Sequence, residues 1–398
     1  MGTSSGPRPP GSLPAVSDPD QELAPTVAVI GGGQLARMLA EPAAALGIPL
    51  RLLAEGPDVA AAQVVPDHLV GDYTDLDTLR KVTDGCAVVT FDHEHVPTEH
   101  LHALQSDLPV RPGPDALVHA QDKGVMRRAL TRLGLPCPRY STVGSPREVA
   151  RFGFPCVLKT TRGGYDGKGV WLVADEAGCA EAFASGGPVL AEERVDFRRE
   201  LCALVARSPS GQMAAWPVVE SRQRDGICYE VIAPAPDLPH DLAVQAQQLA
   251  MRIAAELGVT GMLAVELFET VDARVLVNEL AMRPHNTGHW TQDGSVTSQF
   301  ENHLRAVLDL PLGAPDAREP WTVMVNILPV PGAARLYDGY PHALARDPRL
   351  RVHLYGKGLR PGRKVGHVNA YGDDLEDCLA RARHAAAWFS GEAGEDSE

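Results

Sequence analysis

Aromatic side chains make up only 5% of this 398-residue chain, and no apolar run approaches the ~18 residues of a membrane-spanning helix. A helical membrane span is therefore excluded as its organising feature. Basic charge is also short: 37 Lys and Arg stand against 51 Asp and Glu, for a net charge of −14. So acidic a chain is not built to hold nucleic acid over a broad basic face, and any anionic ligand has to be met in a local pocket. The seven cysteines contain no C-x-x-C pair and are odd in number, which argues against a disulfide framework and suits reduced thiols in the cytoplasm. Residues 1–24 are rich in Ser, Pro and Gly but lack both a basic and an apolar segment, so they read as a disordered tail and not a signal peptide. Residues 391–398 read as a second, acidic tail. No internal repeat is visible.

What the chain does have is concentrated in a few stretches. The first is Cys156-Val-Leu-Lys-Thr-Thr-Arg-Gly-Gly-Tyr-Asp-Gly-Lys-Gly169. An apolar strand over 155–158 ends in Lys159, and a loop with glycines at 163, 164, 167 and 169 also carries Asp166 and Lys168. A second strand, 170–173, follows. Backbone N–H groups freed of side chains approach phosphate oxygens closely, and Lys159 and Lys168 supply the opposite charge. The alternative is a plain hairpin tip with glycines for turn geometry. No G-x-x-x-x-G-K-[ST] opens a helix here, so this is not a P-loop.

Upstream, a strand over 25–30 runs into Gly31-Gly-Gly-Gln-Leu-Ala36 and then a helical pattern. That fits G-x-G-x-x-A at the first turn of a βαβ unit, with Glu55 placed just past the strand 50–53, where a ribose-binding acid sits in dinucleotide folds. An NAD site is one reading, and a glycine turn without any dinucleotide is the other. A helix over 75–82, a strand over 87–91 and a helix over 98–105 continue the alternation, which implies a parallel α/β layer. Between them Asp92-His-Glu-His-Val, with His100 and His102, matches no closed zinc spacing. It reads as surface histidines, with Glu94 at a domain junction. One long helix over 115–133 carries Lys123, and mostly antiparallel strands then run to a helix over 242–257.

A second chemical stretch is Gly261-Met-Leu-Ala-Val-Glu-Leu-Phe268 with Ala273-Arg-Val-Leu-Val-Asn-Glu-Leu280. A two-residue turn at Asp272-Ala273 sets Glu266 across from Glu279 on one face, since side chains alternate with a period of two. Like charges opposed in a hairpin destabilise it unless a cation lies between them. Two carboxylates with Asn278 beside them offer hard oxygen ligands of the kind Mg²⁺ takes when it carries nucleotide phosphates. A solvated hairpin face is the plain alternative, but apolar neighbours at 263, 265, 267 and 275–277 place the pair in the interior. Arg283-Pro-His-Asn-Thr-Gly-His-Trp290 follows as a polar turn suited to a substrate pocket. Near the end, Gly356-Lys-Gly-Leu-Arg-Pro-Gly-Arg-Lys364 clusters positive charge against the sign of the whole chain, which points to an anion site.

Together these stretches resemble the ATP-grasp superfamily and, within it, the N5-carboxyaminoimidazole ribonucleotide synthase family. The likeness spans residues 25–390 and rests on Gly31-Gly-Gly-Gln-Leu35, Lys159-Thr160, Gly163 to Gly169, Val277-Asn-Glu279, Arg283-Pro-His-Asn286 with Gly288-His289, and Arg360-Pro-Gly-Arg-Lys364 with Gly366-His367. The resemblance implies a mixed α/β and α+β architecture. A Rossmann-like parallel α/β domain covers 25–114, a two-lobed ATP-grasp domain 115–310, and a small C-terminal α+β unit 311–390. It implies ATP- and bicarbonate-dependent carboxylation of aminoimidazole ribonucleotide through carboxyphosphate, in a cytoplasmic homodimer using ATP and Mg²⁺.

Residue by residue, the resemblance implies that Lys123, Lys159 and Gly164, Tyr165, Asp166, Gly167, Lys168, Gly169 and Val170 hold ATP. Glu192, Glu193, Arg194 and Val195 then face adenine, Glu200 takes the ribose, and Gln223, Asn278 and Glu279 complete the nucleotide site. Glu266 and Glu279 hold the metal. Gln34, Leu35, Tyr165, Asp166, Arg283, His285, Asn286, Lys357, Arg363 and Lys364 form the ribonucleotide site. Tyr165, Asp166 and Arg283 sit nearest the chemistry, with Asp166 taking or orienting the amine proton. Two positions depart from the family: Lys123 where arginine is common, and Gln223 where a histidine is common. The rival readings are another ATP-grasp ligase such as a formate-dependent purine transformylase, an NAD-dependent oxidoreductase, and a silent nucleotide-binding protein.

Overall fold

A computed structural model describes residues 24–164, 167–184, 186–333 and 335–393, and these form three sheets. Tyr165, Asp166 and most of both expected tails lie outside the described residues. Glu392 at the start of the acidic tail is placed, and it pairs with Arg224 at 2.9 Å.

The first sheet is parallel, in the order His68–Val70, Leu50–Ala54, Val27–Ile30, Val88–Phe91. Val27–Ile30 is buried along its whole length, which is why it is apolar throughout and not alternating. The three-residue strand His68–Val70 is half-exposed and gave no apolar signal. Beyond these strands Val110 adds only an isolated parallel bridge to Val89.

The second sheet is the small lobe, in the order Tyr140–Val143, Val189–Glu193, Cys156–Thr160, Val170–Val173. Its core, built from residues such as Val149, Leu158, Cys179 and Ala191, shares no member with the other cores. Such a lobe can tilt as a unit over whatever lies beneath it.

The third sheet has nine strands and is antiparallel. It runs Val275–Ala281, Gly261–Thr270, Phe197–Arg207, Val219–Arg224, Ile227–Ala233, Trp321–Ile327, Gly366–Gly372, Arg351–Leu354, with Met213–Ala215 beside Phe197–Arg207. The C-terminal strands thus extend the large lobe's own sheet, and the expected small unit at 311–390 has no separate one.

The long helix expected over 115–133 is two helices, Pro114–Gln121 and Lys123–Arg132. Asp122 adopts an extended conformation between them, and its side chain accepts from the Val125 N–H at 3.0 Å. An aspartate that caps a new helix offers its backbone an alternative to continuing the old one. The break sets Lys123 at the first position of the second helix, where its N–H donates to Thr161 O at 2.9 Å.

Candidate active site

The two strands Gly261–Thr270 and Val275–Ala281 meet through a loop of Val271, Asp272 and Ala273, closed by Thr270 N–H donating to Arg274 O at 2.9 Å. This loop is one residue longer than expected, with Ala273 in the left-handed region at φ 58°. A one-residue slip alone would send the two acids to opposite faces. A bulge corrects it. Leu267 pairs with Val277, but Glu266 pairs with Glu279, so Asn278 is the extra residue. Glu266 and Glu279 therefore share a face, their side chains about one-third exposed. The bulged Asn278 turns its Oδ1 to Lys159 Nζ at 2.9 Å, which commits an oxygen expected to be available to a metal.

Lys159 ends the strand Cys156–Thr160 and is buried, with Nζ 2.9 Å from Glu192 Oε2. Glu192 in turn takes Arg127 Nε at 2.6 Å. Its carboxylate is enclosed between two cations and holds Lys159 in place, while the residue also lines the first of the clefts described below. Burial pushes the Glu192 carboxyl up, but Lys159 and Arg127 outweigh it and hold the group below the usual carboxylate range. On the other side Lys123 Nζ lies 3.5 Å from Glu279, and His285 Nε2 lies 3.2 Å from Glu266. Burial raises the Glu266 carboxyl, yet the His285 contact and the charges of Lys159 and Lys364 bring it net below its ordinary value. Glu200 goes the other way. Burial pushes it up, the Gln223 amide at 2.8 Å pulls partly back, and negative Glu266 and Glu279 push again.

Two clefts meet at this carboxylate pair. The first, about 1050 Å³, is walled on one side by Val157, Val170, Leu172 and Val195 and on the other by Phe197 and Phe268, whose rings stack at 4.7 Å. Its polar lining includes Lys123, Lys159, Gly164, Gly167, Lys168, Glu193, Arg194, Glu200, Gln223 and Asn278. The second, about 730 Å³, is lined by Gln34, Leu35, Arg283 and His289 among others. Lys123, Gly164, Glu266, Glu279, His285, Asn286 and Lys364 line both.

Some expected residues are placed elsewhere. Gly169 lines neither cleft; a Cβ there would meet Thr160 Oγ1 at 2.6 Å, so this glycine lets the hairpin close. The basic loop is divided: Lys364 faces the clefts, Lys357 donates to Gln34 Oε1, and Arg363 bends back to Gly358 O at 3.4 Å. His93 is not a surface histidine. It lines the second cleft, and burial, reinforced by His95 and Arg283, pushes it down to about 4.

The glycine turn at residues 31–33 is closed to a dinucleotide. The Gly32 N–H donates to Glu55 at 3.1 Å, and Asp92 accepts from Gly33 N–H at 2.5 Å and Ala36 N–H at 3.1 Å. A pyrophosphate would meet two carboxylates where it needs bare amides. The glycines are there for close packing, since a Cβ on Gly33 would lie 2.2 Å from Asp92 Oδ2.

Comparison with known proteins agrees with this geometry. Residues 24–121 match the ribonucleotide synthetase preATP-grasp domain, 128–300 the ATP-grasp domain, and 322–381 the phosphoribosylaminoimidazole carboxylase C-terminal domain. The N5-carboxyaminoimidazole ribonucleotide synthase of Mycobacterium tuberculosis is 57% identical over 379 residues, covering 92% of this chain and 88% of that one. The chain belongs to the N5-carboxyaminoimidazole ribonucleotide synthase family.

The Corynebacterium ammoniagenes synthase is 50% identical, with 94% of each chain covered. The Aspergillus clavatus synthase, solved with ADP and 5-aminoimidazole ribonucleotide, superposes with a TM-score of 0.85 at 30% identity, over 93% of this chain and 99% of that one. Within this synthase fold, Arg127 is the residue that sequence reasoning missed. It is fully buried, and besides Glu192 it donates to Val277 O at 3.1 Å and Asn278 O at 2.8 Å, tying the small lobe to the acid hairpin. Removing one partner of a buried ion pair costs about 3 kcal/mol or more. Arg127→Met should therefore lower the unfolding free energy by about that much in urea titration, and a loss under ~1 kcal/mol would show the pair to be incidental.

Proposed function

We propose that this protein carboxylates 5-aminoimidazole ribonucleotide at the expense of ATP and bicarbonate, as the family name implies. One observation carries the reading: a cleft with an apolar slot and a cleft lined by Arg283, His285 and Lys364 open on the same pair of carboxylates. A purine base fits the slot between Leu172 and Phe268, and its phosphates then lie toward Lys159, Lys168 and the glycine hairpin. Glu200, oriented by Gln223, is placed to take the ribose. The second cleft takes the ribonucleotide, with Arg283 held by Glu94 at 3.5 Å and Lys364 suited to its phosphate.

The donor set suits Mg²⁺. Among the described residues no cluster of three His, Cys, Asp or Glu could hold a metal, and two carboxylates leave the rest of the shell to phosphate and water, as this cation prefers. Glu266 and Glu279 would hold it, and when bound it supplies charge neutralisation at the γ-phosphate.

In the reaction a bicarbonate oxygen attacks the γ-phosphorus as the bond to ADP breaks, giving carboxyphosphate. Loss of phosphate from carboxyphosphate gives CO₂, and the exocyclic amine attacks its carbon and sheds a proton. Lys159 and Lys123 stabilise charge on the transferring group, and Asp166 is our candidate to receive that proton. The hairpin and small lobe cover the intermediate, because water would hydrolyse it. Seven free thiols are in keeping with the cytoplasm, and the homodimer expected for the family belongs to the same reading.

The test is ADP release with Mg·ATP and bicarbonate, with and without the ribonucleotide. Strong stimulation by the ribonucleotide is expected. ATP binding without stimulation would keep the clamp and require another acceptor.

A further inference from the structure

The turn after Arg283 contains a histidine to which the roles above give no part. His289 is 1% exposed and lines the second cleft. Its orientation is set by Gln299, which is fully buried at the start of the helix Gln299–Val307. The backbone N–H of His285 can only donate, and it donates to Gln299 Oε1 at 2.8 Å, which fixes which way the amide faces. The amide nitrogen then donates to His285 O at 2.8 Å and lies 3.0 Å from His289 Nδ1. His289 Nδ1 must therefore accept, so the ring proton sits on Nε2. The close approach depends on Gly288, where a Cβ would lie 2.3 Å from Gln299 Oε1.

Nε2–H has no hydrogen-bond partner among the described residues. The ring lines the second cleft, where a ligand oxygen can reach this donor, and a hydrogen bond of that kind is worth about 1 kcal/mol. Burial keeps the ring neutral well below its ordinary range, and the positive charges of His285 and Lys364 press the same way. The cleft already holds Arg283 and Lys364 for charged oxygens. A neutral, fixed donor beside them suits an uncharged one.

We infer that His289 is a substrate-binding residue whose Nε2–H donates to an uncharged oxygen of the bound ribonucleotide, a hydroxyl or the ring oxygen of its ribose. The inference rests on the function proposed above. It sets the binding role apart from the packing role, because the two ring nitrogens do different work. Glutamine places an N–H near the position of Nε2, whereas asparagine reaches only as far as Nδ1 and keeps the contact with Gln299.

The experiment is steady-state ADP release by the full chain, with KM measured separately for the ribonucleotide and for ATP, alongside a thermal melt. His289→Asn should raise the ribonucleotide KM about tenfold with the ATP KM and kcat within about twofold, and His289→Gln should stay within about threefold of the parent. An unchanged KM in His289→Asn, or equal rises for both substrates, would overturn the inference. If the asparagine variant does not fold, the glutamine variant decides: near-parental KM supports the donor role and a tenfold rise overturns it. A parent enzyme indifferent to the ribonucleotide would overturn the functional reading and this inference with it.

Discussion

Between pH 7 and pH 5 the protein should lose about 6 kcal/mol of unfolding free energy, most of what a domain of ordinary stability possesses. Three fully buried neutral histidines carry most of it; His93, pushed down to about 4, adds to the loss, and Glu200, raised by burial, offsets part of it. His303 is fully buried; its Nδ1 accepts from Met262 N–H at 3.1 Å and its Nε2 lies 2.8 Å from Thr90 Oγ1. Burial pushes it down to about 3. His289 and His367 are lowered further below their ordinary value by burial, and their rings lie 5.0 Å apart, with His353 stacked on His367 at 4.6 Å. A depressed folded-state pKa on a histidine means that the unfolded chain binds the proton first. Stability is therefore complete above the unfolded value near 6.5 and falls as pH drops below it, by about 2 kcal/mol per histidine at pH 5. Glu192 and Glu266 also lose stability with acid, but their lowered values place that loss below about pH 4.5, outside this window. Urea titrations at the two pH values measure the difference, and His303→Gln should remove about a third of it. A curve flat from pH 7 to pH 5 would sink the argument.

The parts of the site that were legible in the sequence are those whose signal is local. Strand, lysine, four glycines and strand lie within residues 155–173, and each is visible without knowing what packs above it. The acid pair was found from a register argument whose first premise was wrong: the turn is longer, and the bulge at Asn278 restored the pairing. Neither defect is written in the local pattern, because a bulge answers to neighbours on another strand. Arg127 was missed for the same reason, its partner Glu192 lying 65 residues away. The single helix over 115–133 was misjudged because Asp122 is a poor breaker by propensity and acts here only through its cap. The glycine turn at residues 31–33 misled in the opposite sense. Its spacing is that of a dinucleotide site, and only Asp92 and Glu55, brought in by the parallel strands, show that its amides are taken.

Glu279→Gln should lower ribonucleotide-stimulated ADP release about 10³-fold while leaving the unfolding free energy within about 1 kcal/mol of the parent. The two halves of that expectation have one cause. Glu266 and Glu279 face each other across a bulged pair, with Glu200 beside them raised by both. In the ligand-free protein this is a cost, offset in part by Lys123 at Glu279 and His285 at Glu266. Glutamine has the same shape and keeps an oxygen for Lys123, so removing the charge relieves repulsion and weakens one ion pair, two effects of similar size and opposite sign. Function keeps no such balance. In the metal role proposed above, the acid pair would present two negative charges to a hard cation, and an amide oxygen in place of one would weaken that hold. Raising Mg²⁺ tenfold should therefore recover part of the lost rate in Glu279→Gln but none in Arg127→Met, whose defect is in folding. A variant with full ADP release at ordinary Mg²⁺ would remove Glu279 from the metal site, and one that unfolds would show the carboxylate to be structural first.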